Sequence, residues 1–161
     1  DGHHATDESP PPFGAQFLTA VVDERTGEFE IEKLAFAADC GVAINPPLVE
    51  GQIEGGQHMS LEYATSGTLE FDEDGQPETL GFRDYGMPRT TDHPPMETII
   101  VESHEPTGPY GAKSIGELPT NGVPPALSNA IRDAVGVRMT TLPITPEDVR
   151  EAIEAADGGD R

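Results

Sequence analysis

The run Gly108-Pro109-Tyr110-Gly111-Ala112-Lys113-Ser114-Ile115-Gly116-Glu117-Leu118-Pro119 sets one carboxylate, Glu117, at the end of a stretch of small residues bounded by prolines. Glycines let a backbone approach a ligand closely, because they lack Cβ and accept positive φ. A turn of this kind also presents successive N–H groups as an anion-binding concavity. A carboxylate held in such a loop can serve as a general base when burial tunes its pKa. The same residues also fit an ordinary surface loop before a helix, with Glu117 near the N-terminus, where acids are favoured. The loop alone does not decide between these readings.

A second glycine-bearing segment is Gly51-Gln52-Ile53-Glu54-Gly55-Gly56. A glycine inside a helix costs about 1 kcal/mol relative to alanine. Gly51, Gly55 and Gly56 in a helical stretch therefore point to close approach, either by another element or by a cofactor.

These segments fall in a longer series. Asp39-Cys40-Gly41-Val42-Ala43-Ile44-Asn45-Pro46 precedes the Gly51–Gly56 run, and Asp84-Tyr85-Gly86-Met87-Pro88 and Asp92-His93-Pro94 precede the Lys113–Pro119 loop. In order and spacing the series resembles the C-terminal part of the molybdenum-binding subunit of the xanthine dehydrogenase and aldehyde oxidase family, which includes carbon monoxide dehydrogenase-like large chains. The resemblance extends from about Phe13 to Ile153.

The resemblance implies a catalytic role for Glu117. In the family the corresponding glutamate takes the proton from the hydroxyl that attacks an electron-poor carbon of an aldehyde, an N-heterocycle or a similar small substrate. It also implies that Gly51 and Gln52 lie at the pterin, where the Gln52 amide suits a pterin edge or a phosphate. The Lys113, Ser114, Ile115 and Gly116 backbone is implied to approach the molybdenum site. The implied cofactor is molybdopterin with molybdenum, as such or as the cytosine dinucleotide. Iron–sulfur centres and FAD are implied for partner subunits only, and no protein side chain is expected to ligate the metal.

The composition sets further bounds. At 161 residues the chain is long enough for one domain with its own core. Thirty acids against nine bases give a formal charge of −21. Such a balance accompanies disorder when apolar residues are scarce, but regular apolar segments argue for a folded protein. Strong salt screens self-repulsion within a few ångströms, so a halophilic, haloarchaeal source is expected. No basic patch exists to neutralise phosphates, so no nucleic-acid partner is expected. The single cysteine, Cys40, excludes an intrachain disulfide or a cysteine cluster, and is expected to be a buried structural thiol. No apolar run approaches a membrane span, and a cytoplasmic location is expected.

The expected fold class is α+β, with antiparallel hairpins and a mixed sheet packed by helices. Residues 1–12, with Pro10-Pro11-Pro12, read as a disordered arm in which His3 and His4 belong to a solvated tail. Residues 13–156 form the domain, and 157–161 a frayed tail. Ala15–Val22 and Phe29–Leu34 should pair as a hairpin around Asp23–Gly27. Pro46 and Pro47 open a helix over Leu48–Tyr63. Thr68–Phe71 and Pro77–Phe82 are expected as strands around the solvated turn Asp72-Glu73-Asp74-Gly75. Glu97–Glu102 is a further strand. Thr120 or Asn121 should cap a helix over Pro124–Val135, with Ala126, Leu127, Ala130, Ile131 and Ala134 on its apolar face and Gly136 closing it. Thr145-Pro146-Glu147-Asp148 opens a last helix over Pro146–Ala156.

His58 and Glu62 stand four apart where the family carries apolar and small residues, and are expected on an exposed polar face. Family members are several times longer than this chain. The chain is therefore expected to be a C-terminal portion that needs the N-terminal portion of the molybdenum subunit, an iron–sulfur subunit and an FAD subunit. The alternative is a non-catalytic remnant or interaction subunit that keeps the fold.

Overall fold

A computed structural model describes residues 8–158. Its sheet has three strands in the order β1-β2-β3. Strand β1 (Phe13–Val22) turns through Asp23–Gly27 into β2 (Phe29–Asp39), antiparallel to it. Gly27 supplies the positive φ (75°) that the turn requires, and a side chain there would strike the Pro146 carbonyl. Helix α1 (Pro46–Thr65) then crosses over to β3 (Met96–Val101), which pairs parallel to β2. Asn45 caps α1, its side chain accepting from the Leu48 N–H, and Pro46 and Pro47 occupy the first turn.

Between α1 and β3 the expected strand pair is absent. Only an isolated bridge, Phe71 to Pro77, joins the two stretches, and Phe82–Tyr85 is a short helix, α2. Leu69, Phe71 and Leu80 are exposed, so no neighbouring layer rewards extension there. The acidic turn is a solvated Asx turn, as expected. The Asp72 carboxylate accepts from the Asp74 and Gln76 N–H groups at 3.0 and 2.8 Å.

Helix α3 (Val123–Val135) ends on Gly136 in the left-handed conformation, as its sequence requires. Its N-cap differs from expectation, being Gly122 with no side-chain cap. Thr120 and Asn121 turn back onto the Glu117 carbonyl instead, and the Val123 N–H donates to the Ser60 hydroxyl at 3.3 Å. Val123, Leu127 and Ile131 are its buried apolar residues, while Ala134 is exposed. Helix α4 (Pro146–Gly158) opens on a reciprocal box in which Thr145 Oγ1 accepts from the Asp148 N–H and the Asp148 carboxylate accepts from the Thr145 N–H. It includes Asp157 and Gly158, two residues beyond the expected end.

Both cores lie on one face of the sheet. One joins Leu34 to Leu61, Val123, Leu127, Ile131, Ile144 and Val149. The other packs Phe36, Ala38 and Cys40 against Val49 and Ile53 of α1. The architecture is α+β, as expected. His3 and His4, and with them most of the arm expected over residues 1–12, lie outside the described residues, as does the tail from residue 159. No helix among the described residues is long and apolar enough to cross a membrane.

Candidate functional site

The end of β2 anchors the loop that carries Glu117. Lys113 is held there twice. Its N–H donates to the Cys40 carbonyl at 2.7 Å, and its ammonium lies 2.7 Å from Asp39 Oδ2 with only 5% of its side chain exposed. Asp39 also accepts from the Gly41 N–H and the Ser103 hydroxyl. The Lys113 hydrogen bond, with those from Gly41 and Ser103, holds the Asp39 carboxyl down at about 2. Lys113 therefore has a structural task, and its ammonium is committed to the protein. Cys40 is buried, as expected, and burial pushes its thiol up.

Downstream the loop is seated on α1. A side chain at Gly56 would come within 2.6 Å of Pro119 Cβ, so the bare helix surface is what admits the proline. One turn later the Ser60 hydroxyl, fully buried, donates to the Thr120 carbonyl at 2.8 Å. Between these anchors Ser114, Gly116 and Glu117 are exposed, while Ile115 packs on the second core.

Gln52 meets this loop. Its Oε1 lies 3.9 Å from where a Gly116 Cβ would stand. Gln52, Lys113 and Ile115, with Cys40, Val42 and Leu48, line an open cleft of about 210 Å³. Gly51 and Gly55 lie beside Gln52 on the same exposed helix surface, and a Cβ at either would meet nothing within 4 Å. Of the three α1 glycines, Gly56 is thus explained by protein packing, whereas Gly51 and Gly55 leave bare backbone facing outward. Such a surface, with an amide able to donate and accept, fits the edge of a large planar heterocycle approaching along the helix. Gln52, Lys113, Ile115 and Gly116 come together; Gly51 borders them, and Glu117 follows on the exposed rim.

Histidine 58 and Glu62 are not an exposed polar face. The segment after α2 folds over this part of α1, stacking His93 on His58 with ring centroids 4.4 Å apart and Nδ1 to Nε2 at 2.6 Å. Burial, then the neighbouring His58, pushes the His93 imidazole down. Glu62 is buried and hydrogen-bonded to the Tyr85 phenol, whose pKa that bond and burial raise. Among the described residues no group of three or more His, Cys, Asp or Glu could hold a metal. A larger cleft of about 1140 Å³ lies between this segment and the start of β2, and contains none of the Gln52, Lys113 or Glu117 positions. Sequence reasoning missed Asp39 and Ser60; the signal for Asp39 was its place at the head of the Asp39–Pro46 series.

Comparison with known proteins identifies the family of the chain. Residues 1–94 match the family described as Molybdopterin cofactor-binding domain. The chain is 37% identical over 154 residues to a probable hypoxanthine oxidase, XdhD, of Escherichia coli K12, covering 95% of this chain and 16% of that protein. It is 36% identical over 123 residues to the carbon monoxide dehydrogenase large chain of Afipia carboxidovorans, covering 76% of this chain and 15% of that one. Among solved structures, aldehyde oxidoreductase from Desulfovibrio gigas superimposes with a TM-score of 0.79 at 31% identity, over 89% of this chain and 15% of that one. The chain thus spans about a sixth of the length of these proteins.

Proposed function

The chain belongs to the molybdopterin cofactor-binding domain family, with xanthine dehydrogenase and carbon monoxide dehydrogenase large chains among its homologues, and on that premise we propose that it is the part of a molybdenum hydroxylase catalytic subunit that carries the general base. The observation supporting this reading is the meeting of Gln52 with Gly116, the residue before Glu117, beside the bare backbone of Gly51 and Gly55. When bound, the molybdenum–pterin group supplies a two-electron oxidising centre for hydroxylation with water-derived oxygen.

The chain's own contribution is positional and acid–base. Gln52 offers a donor and an acceptor to the pterin edge, and Gly51 and Gly55 let that edge lie on the helix backbone. Ser114 to Gly116 present backbone to the reacting centre, held from one side by Lys113 on Asp39 and from the other by Pro119 on Gly56. The Glu117 carboxylate takes a proton during attack on the substrate, and in the separate chain it faces solvent. The remainder of the molybdenum subunit closes the pocket over it, with iron–sulfur and FAD subunits carrying electrons away. The pterin carries either the free phosphate or the cytosine dinucleotide, and the substrate is an aldehyde, an N-heterocycle or a similar small molecule.

The test is Glu117→Gln in the assembled complex. Glutamine keeps the shape and hydrogen bonding but accepts no proton, so turnover should fall by about a hundred- to ten-thousand-fold with molybdenum content unchanged. Turnover within tenfold of wild type would reduce Glu117 to a loop acid and favour a non-catalytic role for the chain.

A further inference from the structure

The face of the sheet turned away from both cores is apolar and open. Strand register aligns Phe13 with Asp39 and Val101, Ala15 with Ala37 and Ile99, and Phe17 with Ala35 and Glu97 on this side. Phe13 and Phe17 keep 63% and 61% of their surface, and Ile99 and Val101 keep 41% and 46%. The middle strand carries only alanines between these flanks, so the face is a trough with an Ala35-Ala37 floor and bulky walls. Its charges are already matched, Lys33 with Glu97 at one end and Asp39 with Lys113 at the other. On a chain of net charge −21, an apolar trough across three strands whose flanking charges are paired with each other is a surface suited to being covered.

We infer that this trough seats an apolar helix from the remainder of the molybdenum subunit, running along β2. The shape favours a helix, because a ridge of side chains fits between walls over a floor of small residues, and helices already cover the opposite face. The length outside this chain favours the same subunit as its source. Relatives place this segment, over 95% of its length, in a chain of which it forms only 16%. The inference rests on the reading of this chain as a segment of a larger molybdenum subunit, and not on the role of Glu117.

The experiment places the photo-crosslinking residue p-benzoylphenylalanine at position 17, and separately at exposed Leu80 as a control, in the complex assembled in the native host. Mass spectrometry should map the position-17 crosslink to one helical segment of the same subunit's remaining portion, with the Leu80 probe not reaching it. Phe17→Asp and Ile99→Asp should each lower the fraction assembled at least tenfold, while circular dichroism of the chain stays unchanged. A crosslink to a second copy of this chain, to the iron–sulfur or FAD subunit, or to nothing in an intact complex overturns the inference. Failure to recover any larger molybdenum subunit would instead overturn the reading on which it rests.

Discussion

The Lys113 ammonium reaches back across 74 residues to the Asp39 carboxylate at 2.7 Å, tying the root of the Glu117 loop to the last residue of β2. Removing the cation leaves a carboxylate that is largely shielded from water with one charged partner fewer. Lys113→Met should cost about 1–3 kcal/mol of stability, less than a deeply buried pair because Asp39 still sees some solvent. The pH dependence has a definite sign. The Asp39 carboxyl is held at about 2 against an ordinary 3.8, so its contribution is complete above pH 4 and is lost as pH falls through 2. The gap between wild type and Lys113→Met, followed by denaturant unfolding at fixed high salt, should therefore shrink over that window by less than the roughly 2 kcal/mol of the whole shift, because Gly41 and Ser103 still hold the carboxyl down in the variant. A gap that is flat from pH 5 to 2 would show the pair to be incidental.

The other anchor makes a prediction against helix propensity. Alanine is the better helix former by about 1 kcal/mol, yet Gly56→Ala should destabilise, because its Cβ would overlap Pro119. Ser60→Ala should cost a further 1–3 kcal/mol, roughly, since it strands the half-buried Thr120 carbonyl and the buried Val123 N–H. Both changes should speed amide exchange across residues 113–120 more than in the β1–β2 hairpin. Uniform acceleration over the whole chain would mean that neither residue positions the loop in particular.

Much of this frame was legible because local chemistry and tertiary demand agreed. Alternation in Phe29–Leu34, the prolines before Leu48 and the Thr145–Asp148 box each name an element by its own physics. The stretch 68–82 misled because a short β-like pattern without a second layer has nothing to pair with. The cap of α3 was illegible for a related reason, since its donor finds Ser60, a residue 63 positions earlier. In the site, Gly51 and Gln52 carried a readable signal in glycine placement. Sequence could not separate Gly56, which makes room for Pro119, from Gly51 and Gly55, which make room for nothing in this chain. Composition likewise hid the burial of His58 and Glu62, because polar residues on a helix declare no neighbour.

The acidic surface predicts salt-dependent folding. Among the described residues three ion pairs form, against 30 acidic side chains in the whole sequence, so most carboxylates repel without a cationic partner. Screening shortens from about 30 Å at 0.01 M to about 3 Å at 1 M salt. Stability should rise by several kcal/mol between dilute buffer and molar potassium chloride, about the whole margin of a small domain. Circular dichroism and denaturant unfolding across the salt series measure this. Full structure with unchanged stability in dilute buffer would remove the case for adaptation to a salty interior.

The bare helix surface gives the prediction that best separates folding from function. At Gly51 and Gly55 a new Cβ meets no atom within 4 Å, and both residues are exposed within α1. Replacing either by alanine should therefore stabilise the separate chain, by about 1 kcal/mol per site through helix propensity alone. In the assembled complex, on the function proposed above, the same methyl groups would stand where the pterin edge would lie on the backbone. Gly51→Ala, adjoining Gln52, should lower molybdopterin content severalfold while raising the unfolding midpoint of the chain. A larger side chain, as in Gly51→Leu, should deepen the cofactor loss without reversing the gain in stability. Opposite signs in the two measurements are the signature of a glycine kept for a ligand. If cofactor content is unchanged in both variants, α1 is not the pterin's seat and these glycines are merely tolerated on an exposed helix.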